Sequence, residues 1–324
     1  MSYGRNVNAF ISTILFDLQY SCYNMTTSTS ELNADQINQY FTRIELPIKF
    51  HNVSPNLELL TTLHVHHISS IPYENAALHY TTKPHISLAI PDLYHKFVER
   101  SRGGYCMENN IFFHHVLRFL GFQVYLTGAR LYRESTSSLP GEHSVNIITI
   151  DGIKYLSDVG YGGDGPGMPM PLIKQSTIIH NIGTQEIRLL HGSMPGLVEG
   201  HEDLWTFQFR NSVEKPWRCG YGFYELEFFQ RDFEISSFYC SQNPACFLTF
   251  NLLVMRFLRD EGKIYGKVIL EQNKLKENLG GKSVLVQTCQ TEAERQKVLS
   301  DRFGIVLTAE ERSGIVGRST ALTG

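Results

Sequence analysis

The hydrophobic pattern of this chain changes its period near Gly121. Upstream, apolar residues recur at three- and four-residue steps; downstream, they alternate. Ile37, Tyr40, Phe41 and Ile44 mark a first helix that starts at Asn33 and is closed by Leu46-Pro47. A second follows Ser54-Pro55, with Ser54 as cap, Pro55 at the first helical position, and Leu59, Leu60, Leu63 and His67 on one side. Ile90-Pro91-Asp92 opens a third, running to about Arg100. Residues 31–121 are therefore expected to form a helical bundle. Beyond Gly121, the alternations Phe122/Val124/Leu126 and Val145/Ile147/Thr149, with runs at 186–190, 204–210 and 263–270, predict strands. Residues 122–225 read as a β-barrel domain or strongly curled sheet, 226–310 mix helix and strand, and 311–324 form a frayed tail. The aromatic, charge-poor run from Phe238 to Phe257 is expected in the core, and 292–303 as a polar helix. The Thr/Ser-rich end of residues 1–30 marks a disordered extension. The fold class is thus α+β.

Composition excludes several functions. With 324 residues, the chain exceeds what one core usually supports. A formal charge of -3, without a Lys/Arg stripe, gives no field for nucleic acid. Six cysteines, without a C-x-x-C pair, suit a reducing, cytoplasmic setting rather than a disulfide framework. The apolar stretch 9–16 is too short for a membrane span and carries no signal-peptide cleavage pattern, so no membrane partner is expected. His64, His66 and His67 have no cysteine or acid at ligand spacing, so no metal is expected there and the three read as packed or surface histidines.

The segment Arg102-Gly-Gly-Tyr-Cys-Met-Glu-Asn-Asn110 carries the chemistry. It turns from a Gly-Gly pair into a helix whose apolar side is Met107, Ile111, Val116, Phe119 and Leu120, capped by Gly121. Cys106 falls in the first turn, where free N–H groups and the helix dipole favour a thiolate and the glycines admit a thioester. A lone cysteine is more often a buried small hydrophobe. The case is strengthened by a hairpin, 143–150 and 153–158, joined by Asp151-Gly152, the pair preferred in a type I′ turn. Pairing Ile150 with Ile153 sets Asp158 diagonal to His143 on one face, within side-chain reach. Glu142 is the rival partner for His143 but points to the opposite face. Cys106, His143 and Asp158 can form a nucleophile, base and orienting acid. Arg102 and Glu108, flanking the cysteine, are a candidate ion pair.

These motifs, with Ile71-Pro-Tyr-Glu-Asn75 upstream and Asp158-Val-Gly-Tyr-Gly162 downstream, resemble the arylamine N-acetyltransferases of bacteria, fungi and animals, a fungal-type member in particular. The resemblance implies a helical bundle, a β barrel and a C-terminal α/β lid around a cysteine-protease-like core. It implies acetyl-CoA or another acyl-CoA as co-substrate, a small aromatic amine, hydroxylamine or hydrazine as acceptor, a role in xenobiotic metabolism, and no metal. It maps nucleophile, base and acid to Cys106, His143 and Asp158. It also brings Tyr105, Gly141, Glu142, Tyr161, Gly162 and Gly163 to the substrates, with Tyr161 able to stack on an aryl ring. Fungal-type members differ in using acetyl, propionyl or malonyl donors. The same triad also serves cysteine hydrolases and transglutaminase-like enzymes. A catalytically silent ligand sink is a third reading, disfavoured because all three triad positions are filled.

Overall fold

The computed structural model describes residues 30–132, 142–194 and 203–323. The extension expected over residues 1–30 lies, up to residue 29, outside them. Helix α1, Ala34–Arg43, begins where Asn33 and Gln36 cap each other: each side chain accepts the other's backbone N–H, at 2.9 and 3.0 Å. Helix α2, Leu57–Ser70, starts later than Ser54-Pro55 suggests. The cap is Asn56, whose Oδ1 accepts the Leu59 N–H at 2.9 Å. A short β1, Tyr73–Glu74, and a single-turn α3, Ala76–His79, follow. Helix α4, Ile90–Tyr94, runs on as a π turn to Glu99. Helix α5, Cys106–Phe119, ends with Gly121 in a left-handed conformation, φ +86°.

The large sheet holds β2 (Gln123–Leu131), β3 (His143–Ile150), β4 (Ile153–Ser157), β5 (Met170–Pro171), β6 (Ile179–His180), β7 (Glu186–Gly192), β8 (Leu204–Arg210) and β9 (Arg218–Phe223). Their order is β5-β4-β3-β2-β9-β8-β7-β6, antiparallel throughout. Among the described residues no ladder joins β5 to β6, so the expected barrel is an open, curled sheet. Helix α5 packs on β3 and β2, which is why β3 is buried almost throughout instead of alternating.

Helices α6 (Asp232–Gln242) and α7 (Phe247–Phe250) then lead into β10 (Leu253–Asp260), β11 (Lys263–Glu271), β12 (Lys274–Asn278) and β13 (Val284–Thr288). These four strands form a second sheet whose edge strand is β1, so the helical half supplies part of it. The run from Phe238 to Phe257 divides: Cys240, Cys246, Leu248 and Phe257 are buried, while Phe238 is 70% exposed and Phe250 47%. Helix α8, Glu292–Phe303, is the expected polar helix, closed by Gly304 at φ +72°. After α9, Ala309–Gly314, the end is anchored rather than frayed. The buried Arg295 donates to the Thr320 carbonyl at 2.9 Å, and the Leu322 N–H donates to Glu292. No helix among the described residues is long and apolar enough to cross a membrane.

Helix α2 is buried on nearly every side, and its histidines serve as hydrogen-bonding core residues. The His64 ring bonds Ser157 Oγ and the Pro166 carbonyl, both at 2.9 Å. His66 Nδ1 bonds the Ile44 carbonyl at 2.9 Å, and the His67 ring bonds Tyr40 Oη and Asn109 Oδ1. Burial lowers His64 to about 4 and His67 to about 3; it does the same for His114 on α5, also to about 3. Between those values and the ordinary imidazole range, the unfolded chain takes up protons that the folded chain refuses, so stability is lost as pH falls. Each ring contributes up to about 1.4 kcal/mol per pH unit across its window. Urea midpoints should hold level above the ordinary imidazole range and fall steeply from there toward about pH 4. A midpoint unchanged across that interval would contradict this assignment.

Candidate active site

Cys106 opens α5, and the turn before it is fixed by tertiary contacts. A Cβ on Gly103 would stand 1.8 Å from the Pro72 carbonyl oxygen, and the Glu74 N–H donates to the Gly104 carbonyl at 2.9 Å. Gly103 therefore lets segment 71–75 close against the turn, and Gly104 leaves room for the Glu108 side chain, whose Cβ would lie 2.7 Å from a Cβ placed there. The expected Arg102–Glu108 pair does not form. Arg102 bonds Glu74 and Glu311 at 2.9 and 2.8 Å; Glu108 pairs with Lys96 at 2.5 Å and accepts the Tyr105 N–H. Segment 71–75 also reaches the second sheet. Asn75 donates to the carbonyls of Leu248 and Asn251, and its Oδ1 accepts the Leu253 N–H.

The hairpin follows the expected register, Ile150 opposite Ile153 and Asn146 opposite Ser157, with Asp151 and Gly152 at φ 50° and 78° as a type I′ turn requires. Asp158 leaves β4 just past its last paired residue. Its Oδ2 lies 2.7 Å from His143 Nε2, and both side chains are buried. Burial raises the Asp158 carboxyl, but the His143 ring, the Asn110 amide and the Gly160 N–H outweigh it and hold the group below the usual carboxylate range. The rings of Tyr161 and Tyr221 flank His143, with centroids 5.8 and 5.0 Å away.

The Cys106 thiol donates to the Glu142 carbonyl at 3.4 Å, one residue before His143. Burial first, then the Asp158 charge, pushes the thiol up, while the Met107 N–H at the helix start pulls it down. The net direction is upward, so burial works against the thiolate that the helix start favours.

Asn110 is the residue whose role sequence reasoning missed. It stands one turn after Cys106 on the same helix face, the i+4 position that could have drawn attention to it. Its Nδ2 donates to Asp158 Oδ1 at 2.8 Å and to the Ser144 carbonyl at 2.7 Å, and its Oδ1 accepts the Val159 N–H at 3.0 Å. One side chain thereby ties α5 to both arms of the hairpin. Gly160 completes the contact, because a Cβ there would lie 2.6 Å from the Cys106 carbonyl oxygen.

A cavity of about 730 Å³ opens on the cysteine. Of the residues expected at the substrates, Glu142, Tyr161 and Gly163 line it. Tyr105 does not: it is fully buried, with its hydroxyl 2.5 Å from Ser237 Oγ. Gly162 borders a separate small recess beside Tyr73, and Gly141 lies outside the described residues. Lys215, Lys267 and Lys282 add positive charge to the wall, Lys267 being paired with Asp164 at 3.0 Å.

A family model described as N-acetyltransferase matches residues 56–312. The arylamine N-acetyltransferase of Escherichia coli is 31% identical over 229 residues, which cover 70% of this chain and 75% of that one. The chain belongs to the arylamine N-acetyltransferase family. It is an acyltransferase. An N-malonyltransferase of Fusarium pseudograminearum is 32% identical over 317 residues, 86% of this chain and 91% of that relative. The arylamine N-acetyltransferase of Mycobacterium marinum, solved in complex with CoA, superposes with a TM-score of 0.71 at 25% identity, covering 86% of this chain and 98% of that one.

Within this family member, Asn110→Ala would strand the buried Val159 N–H and Ser144 carbonyl and remove a donor from Asp158. It should lower unfolding free energy by about 2–4 kcal/mol, since each buried group left unpaired costs about 1–3 kcal/mol. Urea denaturation measures this, and a loss within experimental error would show that the tie is not needed.

Proposed function

We propose that this enzyme carries a short acyl group, acetyl, propionyl or malonyl, from acyl-CoA through a thioester on Cys106 to an arylamine, hydroxylamine or hydrazine. The observation that carries the reading is the buried His143–Asp158 pair, 2.7 Å apart, with Cys106 bonded to Glu142, the residue just before His143, and lining the large cavity together with it. With Nε2 engaged by Asp158, Nδ1 of His143 is the ring atom left to exchange a proton.

In the first half reaction, the thiol proton passes to His143 as the Cys106 sulfur attacks the donor carbonyl. The acyl–sulfur bond of CoA breaks, and His143 returns the proton to the departing CoA thiolate. One thioester replaces another, so the step demands positioning more than driving force. In the second, the amine nitrogen attacks the Cys106 thioester, the carbon–sulfur bond breaks, and the amine proton reaches the cysteine through His143. Aromatic amines are largely unprotonated at neutral pH and attack directly, where an alkylammonium would not. Tyr161 and Phe247 offer the acceptor aromatic surface, and Lys215 and Lys282 offer cationic partners to the CoA phosphates. Burial of the nucleophile, 6% exposed, supports transfer over hydrolysis because little water reaches the thioester.

Intact-protein mass spectrometry after incubation with acetyl-, propionyl- or malonyl-CoA tests the reading and identifies the donor. One acyl adduct per chain is expected on wild type and none on Cys106→Ala; acyl transfer by Cys106→Ala above background would end the proposal. Asp158→Asn should lower kcat by about a thousandfold or more, because an amide neither holds the tautomer nor stabilises the imidazolium. Steady-state lines at fixed amine concentrations should be parallel; intersecting lines with no trappable thioester would point to direct transfer in a ternary complex.

A further inference from the structure

Three cysteines that the sequence scatters meet at the cavity. Cys240 lies near the end of α6, and Cys246 immediately precedes α7. The turn between them closes with the Cys246 N–H bonded to the Asn243 carbonyl at 2.9 Å, which folds Cys246 back beside Cys240. The Glu142 carboxylate reaches the same point from the start of β3. The two sulfurs and a carboxylate oxygen all lie within 4.8 Å of one another, and all three residues are buried. Cys106 lines the same cavity, close enough that its charge acts on Cys240 and the charges of Cys246 and Glu142 act on it.

We infer that Glu142, Cys240 and Cys246 form a binding site for a soft divalent cation such as zinc, and that the bound ion inhibits the enzyme. Two thiolates and one carboxylate are ligands of the kind zinc takes, and their spacing needs only a small contraction to reach sulfur–zinc distances of about 2.3 Å and oxygen–zinc distances of about 2.1 Å. Binding releases the two thiol protons to solvent, and the cation offsets the charge of the thiolates and the carboxylate in this buried place. The fourth tetrahedral position opens onto the cavity that Cys106 lines, so the ion stands in the donor's approach to the nucleophile. It also pins the segment carrying α6 and α7 to the start of β3. This assigns Glu142 a ligand role instead of the substrate contact expected from sequence, and gives Cys240 and Cys246 a task that the transfer reaction does not require.

The test uses the full chain, reduced and metal-free, in the presence of a non-chelating reductant, with intact mass monitored to exclude a disulfide. Cadmium is titrated while its thiolate charge-transfer absorbance is followed, and zinc is titrated in competition. Cys106→Ser should still bind one equivalent, whereas Cys240→Ser and Cys246→Ser should each weaken binding by about 100-fold or more, the loss expected when a metal site is damaged. Because binding is read in Cys106→Ser, its outcome is independent of the proposed thioester chemistry. Stoichiometric zinc should suppress wild-type turnover reversibly, with recovery on adding a chelator. The double variant Cys240→Ser/Cys246→Ser, compared with its own metal-free rate, should be insensitive at the same concentration. Binding that disappears with Cys106 and survives in the double variant would overturn the inference and leave the nucleophile as a simple metal target. Failure of the wild type to bind cadmium or zinc at stoichiometric concentration would overturn it as well.

Discussion

A buried guanidinium holds the turn before Cys106 in place. Arg102, 3% exposed, is gripped by Glu74 from β1 and by Glu311 from α9, so three distant stretches of chain meet at one cation. Glu74 also caps the Ala76 N–H at 2.7 Å, and Glu311 pairs with Arg100 at 2.9 Å. Burial alone would lower the Arg102 pKa, but the two carboxylates more than offset it, so the charge stays in place. Such a network adds little net stability over an apolar packing, yet removing one partner costs about 3–5 kcal/mol because a charge is left buried and unmatched. Its geometry leaves the turn at 102–105 little choice of position, and so fixes where α5 begins.

Electrostatics at the other end of the turn work in opposite senses on neighbouring groups. Three donors keep Asp158 ionised in a buried setting, while burial and that same negative charge disfavour ionisation of Cys106. The His143 imidazole is held by the group that is already charged, and the Cys106 thiol bonds the backbone carbonyl of the residue just before it.

Local signals carried much of this. Asp151-Gly152 determines a two-residue turn, and a two-residue turn determines which residues face each other, so the meeting of His143 and Asp158 was legible before any tertiary contact was known. The start of α5 at Cys106, the polar helix at 292–303 and three of the later strands were legible for the same reason, being written in spacing. What escaped depends on partners far away in the chain. Arg102 and Glu108 sit close in sequence but find their counter-charges on β1, α9 and the π turn; Tyr105 points to Ser237 on α6; β1 joins a sheet whose next strand begins about 180 residues later. The chain end looked frayed because its anchors, Arg295 and Glu292, lie on another helix. Closure of the large sheet is a property of all its strands together, and no single segment encodes it.

The division of the site between α5 and the hairpin gives the molecule an internal gauge. Cys106 and Asn110 ride on one element, imidazole and carboxylate on another, and the two are joined by a few hydrogen bonds and the close approach at Gly160. A drift of an ångström between these bodies would leave helix and sheet content untouched while separating sulfur from ring, and displacement on that scale can slow a reaction a hundredfold or so. Heat, denaturant or a distant core substitution should therefore silence such an enzyme well before any spectroscopic sign of melting, so that turnover measures the fit of the joint and circular dichroism measures only the survival of its parts.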